Sequence, residues 1–141
     1  MQKHENAGEL ASELRVSLGQ IFRRIRAEHG FPMGQGAVLG TLDRDGPRST
    51  SDLAAAAKMR PQSMAQTVKE LEHAGFVSRR PDPDDGRRVF IELTELGLQR
   101  LQEDRRRRDD WLARVLETEL SAEERATLAA AAPLLRRLTD A

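Results

Sequence analysis

Apolar residues return every three or four positions over the first thirty residues of the chain. Leu10, Leu14, Leu18, Ile21, Phe22 and Ile25 share one side of a helix predicted over 7–29, and His29-Gly30-Phe31-Pro32 stops it. A shorter periodic stretch, Ala37-Val38-Leu39 with Leu42, predicts a second helix that runs into the turn Asp45-Gly46-Pro47. Ser49 and Asp52 have the spacing of a capping box, which opens a helix Leu53–Lys58. Met59-Arg60 reads as a short turn. Pro61 suits the first turn of the next helix, which runs to Ala74 and stops at Gly75. Two helices joined by about three residues make a helix-turn-helix pattern.

The period then changes. Arg79 to Thr94, RRPDPDDGRRVFIELT, reads as two short strands joined by a Pro/Asp/Gly turn, with arginines at both shoulders and Arg87 beside the tip. Thr94 can cap a long helix from Glu95 toward Glu119. Ser121 with Glu124 makes a second capping box, opening a last helix with Leu128, Ala131, Leu135 and Leu138 on one stripe. Pro133 is expected to kink that helix or divide it. The predicted fold class is therefore mainly α with a small β-hairpin wing, a winged helix-turn-helix between N- and C-terminal helices. Three segments follow: 1–30 for a dimerisation helix, 31–94 for the winged domain, and 95–141 for the helices completing the dimerisation region.

On a helical wheel with Met64 at zero, Val68 and Leu71 fall within about 40° of it and form the buried side of the helix after Pro61. Gln62, Gln66, Lys69 and His73 fall within about 40° of the opposite pole, with Ser63 flanking. Gln pairs bidentately with adenine, Ser bonds either base, and Lys suits guanine or phosphate. The first turn, Arg60 to Ser63, presents free N–H groups to a phosphate. Taken alone, such a face also fits an ordinary amphipathic surface helix. The capped helix and tight turn before it and the basic hairpin after it turn the reading toward duplex DNA. Arg87 then suits the minor groove, where narrow A·T tracts concentrate negative potential, and Arg79, Arg80 and Arg88 suit phosphates. Asp85 is expected to hold the Arg87 side chain extended, and Asp82, Asp84 and Asp85 to be tied to arginines or turned away.

Composition narrows the partners. Formal net charge is zero over 141 residues, so any attraction to a polyanion is local. Between Arg48 and Arg88 eight basic residues face six acidic ones. The run Arg105-Arg106-Arg107-Arg108 is bracketed by Glu103-Asp104 and Asp109-Asp110, and reads as a solvated helix laced by i,i+4 pairs. The chain has no cysteine, which excludes disulfides, thiolate nucleophiles and Cys-based zinc sites. His4, His29 and His73 are isolated, so no metal and no cofactor are expected, and no nucleophile–base pair or carboxylate dyad points to an enzyme. The glycines Gly34, Gly36 and Gly40 could be taken for a dinucleotide loop. No strand precedes them and no βαβ unit follows, so they are expected to permit close helix packing instead. No apolar run approaches the roughly 20 residues of a membrane span, and MQKHENAGEL lacks a signal peptide's apolar segment. A cytoplasmic protein is expected.

Read through nearly its whole length, the chain resembles the MarR (multiple antibiotic resistance regulator) family of winged helix-turn-helix transcription factors. The residues carrying the resemblance are PRSTSDLAAAAKMRPQSMAQTVKELEHAGFV followed by RRPDPDDGRRVFIELTELG, above all Asp85 and Arg87 ahead of Leu93, Thr94 and Gly97. The resemblance implies a homodimer that binds double-stranded DNA and often represses transcription. It also implies release by a small-molecule effector seated between the dimerisation and DNA-binding parts. Carried onto matching positions, it implies that Arg60, Gln62, Ser63, Gln66, Thr67 and Lys69 lie on or beside the recognition helix, and that Arg87 is the wing's minor-groove arginine. Lys58-Met59 stands where the family often has a glycine-containing turn. Dimerisation has its own support: the stripe Leu10, Leu14, Leu18 and Ile21 and the residues Trp111, Leu112, Val115, Leu116, Leu128, Leu135 and Leu138 lack enough partners within one chain. The competing expectation is a winged-helix module that binds protein rather than DNA.

Overall fold

A computed structural model describes residues 6–28, 30–32 and 34–141, so His4 and His29 lie outside the described residues. In chain order the elements are α1 (Ala7–Ala27), α2 (Gln35–Asp45), β1 (Arg48–Ser49), α3 (Thr50–Ala57), α4 (Pro61–His73), β2 (Val77–Pro81), β3 (Val89–Leu93), α5 (Glu95–Glu119) and α6 (Ala122–Thr139). The strands form one antiparallel sheet in the order β1-β3-β2. Val77 stands opposite Leu93 and Pro81 opposite Val89 across the hairpin, while Arg48 and Ser49 pair with Ile91 and Phe90.

Local chemistry explains most boundaries. Ser49 is the N-cap of α3, its hydroxyl accepting from the Asp52 N–H at 3.1 Å, so the helix opens at Thr50 and not at Leu53. Ser121 and Glu124 complete a reciprocal capping box at α6. That helix runs unbroken through Pro133, so of the expected kink or division the division does not occur; proline removes one backbone bond of a helix 18 residues long. The expected close packing at Gly40 is also absent, because a methyl group there would meet nothing within 4 Å.

Contacts divide the chain into two compact units, Met1–Glu28 with Arg107–Ala141, and His29–Arg106. The second unit has a continuous core. Val38, Leu39 and Leu42 of α2 pack with Leu53 of α3, with Met64, Val68 and Leu71 of α4, and with Val77, Ile91 and Leu101. Each such side chain contributes about 1.5–3 kcal/mol on burial. The first unit is built differently. Among the described residues neither α1 nor α6 has a single buried residue. Within this unit the Arg24 guanidinium lies 5.5 Å from the centre of the Trp111 ring. Beside that pair an apolar groove runs past Ile21, Leu112, Leu116 and Leu128.

Candidate nucleic-acid interface

The turn between α3 and α4 is made without glycine. Lys58 takes the left-handed conformation at φ 53 and ψ 41, and the Met59 N–H reaches back to the Ala54 carbonyl at 2.9 Å. Arg60 is the extended N-cap of α4 and Pro61 its first residue. No side chain among the described residues caps this N-terminus, which leaves first-turn N–H groups for an outside acceptor. Met64, Val68 and Leu71 are completely buried, as the wheel requires. Gln62, Ser63, Gln66, Lys69 and His73 are all exposed on the other side. Thr67 departs from this set. It is only 9% exposed and its hydroxyl donates to the Ser63 carbonyl at 3.1 Å, so it belongs to the buried flank and is removed from the candidate interface.

Two contacts on α4 have no counterpart in the sequence reading. Gln66 Nε2 donates to Glu70 Oε1 at 3.2 Å, and Gln35 Nε2, from α2, donates to Glu70 Oε2 at 3.1 Å. One carboxylate thus holds two amides.

The wing is rooted through Thr94 and Gly97. The Thr94 hydroxyl donates to the Gly75 carbonyl at 2.6 Å and accepts from the Gly97 N–H at 3.0 Å. A Cβ on Gly97 would stand 2.1 Å from the Phe76 carbonyl oxygen, so the close approach of α5 to the start of the hairpin requires glycine there. Gly75 itself has φ +83, the left-handed turn that ends α4 and aims the chain into β2.

The hairpin arginines are engaged with acids at its base. Arg79 pairs with Glu72 of α4 at 2.9 Å and Arg88 with Asp52 of α3 at 3.1 Å. Arg80 pairs with Glu92 across the hairpin at 3.4 Å. Arg80 and Arg88 also lie 6.0 and 5.7 Å from the centre of the Phe90 ring. These arginine side chains are nearly half exposed, and surface pairs of this kind are worth about 0–1 kcal/mol, so a phosphate can displace their partners.

At the tip the expectation for the acids is corrected. Asp85 Oδ1 accepts from the backbone N–H of Arg87 at 3.1 Å, and Asp82 Oδ1 from that of Asp84 at 2.9 Å. The Asp85 carbonyl accepts from the Arg88 N–H at 3.0 Å. The carboxylates therefore shape the turn through the backbone, and Asp85 supports Arg87 by fixing its main chain. Arg87 is exposed at the apex.

Within the arginine run, Arg105 has a partner from another element. Arg105 donates to Asp43 of α2 at 2.8 Å, a long-range pair and not an i,i+4 one. Its neighbour Asp104 is 2% exposed and accepts from the Gly30 N–H at 2.7 Å.

Against known proteins, the MarR family model matches residues 31–89, the segment containing α2, the α3–α4 pair and the hairpin up to the first residue of β3. An HTH-type transcriptional regulator of Mycobacterium tuberculosis, MT0903.1, is 35% identical over 134 residues, covering 93% of each chain. The chain belongs to the MarR family. A transcriptional regulator of Pseudomonas aeruginosa PA01, known by crystal structure, superposes on this MarR-family chain with a TM-score of 0.84 at 36% identity, covering 94% of each. A MarR family protein from Bacillus stearothermophilus shares the fold at 24% identity, with a TM-score of 0.70 over 95% of this chain and 93% of its own. The chain is thus a helix-turn-helix transcriptional regulator of the MarR family. No helix among the described residues is long and apolar enough to cross a membrane.

Proposed function

We propose that this MarR-family regulator is a homodimeric repressor of ligand-controlled genes. In this reading two copies of α4 enter successive major grooves of a palindromic operator, and Arg87 of each wing enters the adjacent minor groove. The observation that carries it is the division of α4: three side chains completely buried, and the opposite pole exposed with two amides, a hydroxyl and a cation. Arg60, Gln62, Ser63, Gln66 and Lys69 are the contacts proposed for α4. Arg79, Arg80 and Arg88 hold phosphates and Arg87 the groove, with Asp85 fixing the turn behind it.

Dimer formation is supported by the unburied helices. Leu10, Leu18 and Ile21 of α1 and Leu128 and Leu138 of α6 are between 41% and 61% exposed, and Leu14, Trp111, Leu112, Val115, Leu116 and Leu135 are only partly covered. The proposed division of labour gives 1–30 and 95–141 to dimerisation and 31–94 to DNA. Two-fold symmetry then spaces the recognition helices roughly 34 Å apart, one turn of duplex. The effector is proposed to act by preferring a dimer with the wrong spacing, and it shifts the balance only by its differential affinity for the two shapes. A cleft lined by Phe31, Gln35, Phe76, Leu96 and Arg100 offers two aromatic rings and a cation to such a molecule.

The test is a gel-shift titration of the full-length protein on a genomic fragment that it retains. Arg87→Ala is expected to weaken binding several-fold, because a guanidinium in a narrow groove is lost while the turn is kept. Unchanged affinity refutes the wing assignment.

A further inference from the structure

We propose that Glu70 is a positioning residue for base reading: it fixes the Gln66 side-chain amide so that its outward edge selects adenine and rejects guanine. The proposal rests on the reading of α4 as the recognition helix. Its geometry is the pair of hydrogen bonds from Gln66 Nε2 and Gln35 Nε2 to the two oxygens of Glu70, at 3.2 and 3.1 Å. A carboxylate only accepts, so the end of each amide that meets it must be nitrogen. The reversed amide would set carbonyl oxygen against carboxylate oxygen with no proton between them. Gln35 comes from α2, so the carboxylate is held from a second element and does not simply follow Gln66.

One N–H of Gln66 is used by this contact. Its carbonyl oxygen and other N–H remain for DNA. Adenine presents an N6 donor and an N7 acceptor in the major groove, which complements that edge, whereas guanine presents two acceptors, O6 and N7. A free glutamine can swing its NH2 group over guanine O6 and N7 with the carbonyl turned away, and so accommodate either base. Tied to Glu70 it keeps one polarity, and guanine O6 meets the carbonyl. The negative charge of Glu70 also opposes the polyanion whatever the sequence. Its two effects are therefore separable: charge acts on all duplexes alike, and positioning acts on one base.

The experiment equilibrates full-length wild-type protein, Gln66→Ala, Glu70→Gln and Glu70→Ala with a random-sequence duplex library and sequences the bound fraction. Wild type is expected to favour adenine over guanine at one position by about tenfold or more. Gln66→Ala brings that position to near parity. Both Glu70 variants also bring it near parity by readmitting guanine, and leave the other positions unchanged, even as removal of the charge tightens binding to every duplex. Melting curves serve as the folding control, since Glu70 and Gln66 are exposed. Loss of the preference in Gln66→Ala with its retention in both Glu70 variants overturns the proposal and leaves the recognition helix standing. No change at any position in Gln66→Ala removes base reading by this helix, and the proposal with it.

Discussion

Lys58 is the one non-glycine residue with positive φ among the described residues, and it stands at the hinge between α3 and α4. A side chain in the left-handed region costs about 1–2 kcal/mol. Glycine would relieve that cost but would lose about 0.5–1 kcal/mol through the greater freedom of its unfolded chain. The difference is small and favourable, so Lys58→Gly is expected to raise stability by about 0.5 kcal/mol in urea unfolding. Lys58→Val, which brings a β-branched side chain to the same φ, is expected to lower it by about 1 kcal/mol or more. If glycine destabilises and valine is neutral, the turn is not the strained element that its backbone implies. The same scale explains Asp85. Its carboxylate lies two residues from the Arg87 N–H, a local partner that needs little chain ordering, and that short reach wins over the longer one to the guanidinium.

At the scale of elements, α6 offers a pH handle. Glu124 has its carboxyl pKa lowered from the ordinary 4.5 by the backbone N–H of Ser121, with the Ser121 hydroxyl second. Because the folded value lies below the unfolded one, the capping contribution is complete above about 4.5 and is lost as pH falls through the lower folded value. Hydrogen exchange in the first turn of α6 is therefore expected to gain pH dependence in the acid range. Glu124→Gln keeps a side chain able to close the box and should remove that dependence; an identical pH profile in the variant would assign the titration elsewhere. Elements of this kind were legible because their signals are local. The cap of α6, the buried stripe of α4 and the hairpin each follow from residues within a few positions of one another. β1 was not legible, since two residues cannot show a period and Ser49 already serves as a cap. Thr67 was misplaced because it follows Met64 by three residues, only about 60° around the helix from the buried stripe. The Gln35–Glu70–Gln66 contact and the burial of Asp104 are set by residues 35 and 74 positions apart, which no local pattern encodes.

For the whole molecule, the decisive contrast is between the two units. One has a core in which α2, α4 and the sheet each contribute completely buried side chains, while the other has two helices of 21 and 18 residues with none. Most of a helix's stability in a protein comes from packing its apolar face, and here those faces are left uncovered. In the proposed homodimer a second copy supplies the cover, and an interface above about 2,000 Å² would be of the obligate kind. Ile21, on the α1 stripe, is 48% exposed in the single chain. If the chain were a monomer, Ile21→Glu would be a surface substitution with an effect within about 0.5 kcal/mol. In a dimer it buries an unpaired charge, which costs far more and falls on both subunits at once. Sedimentation equilibrium is expected to give a dimer for the wild type and a shift toward monomer for the variant. The wild-type melting temperature is expected to rise with protein concentration, because folding and association are one equilibrium. DNA affinity should fall with dimer content, since a single winged domain loses the second contact that a shared duplex makes intramolecular. A monomeric wild type with a concentration-independent melting temperature would remove the dimer, and with it the palindromic operator.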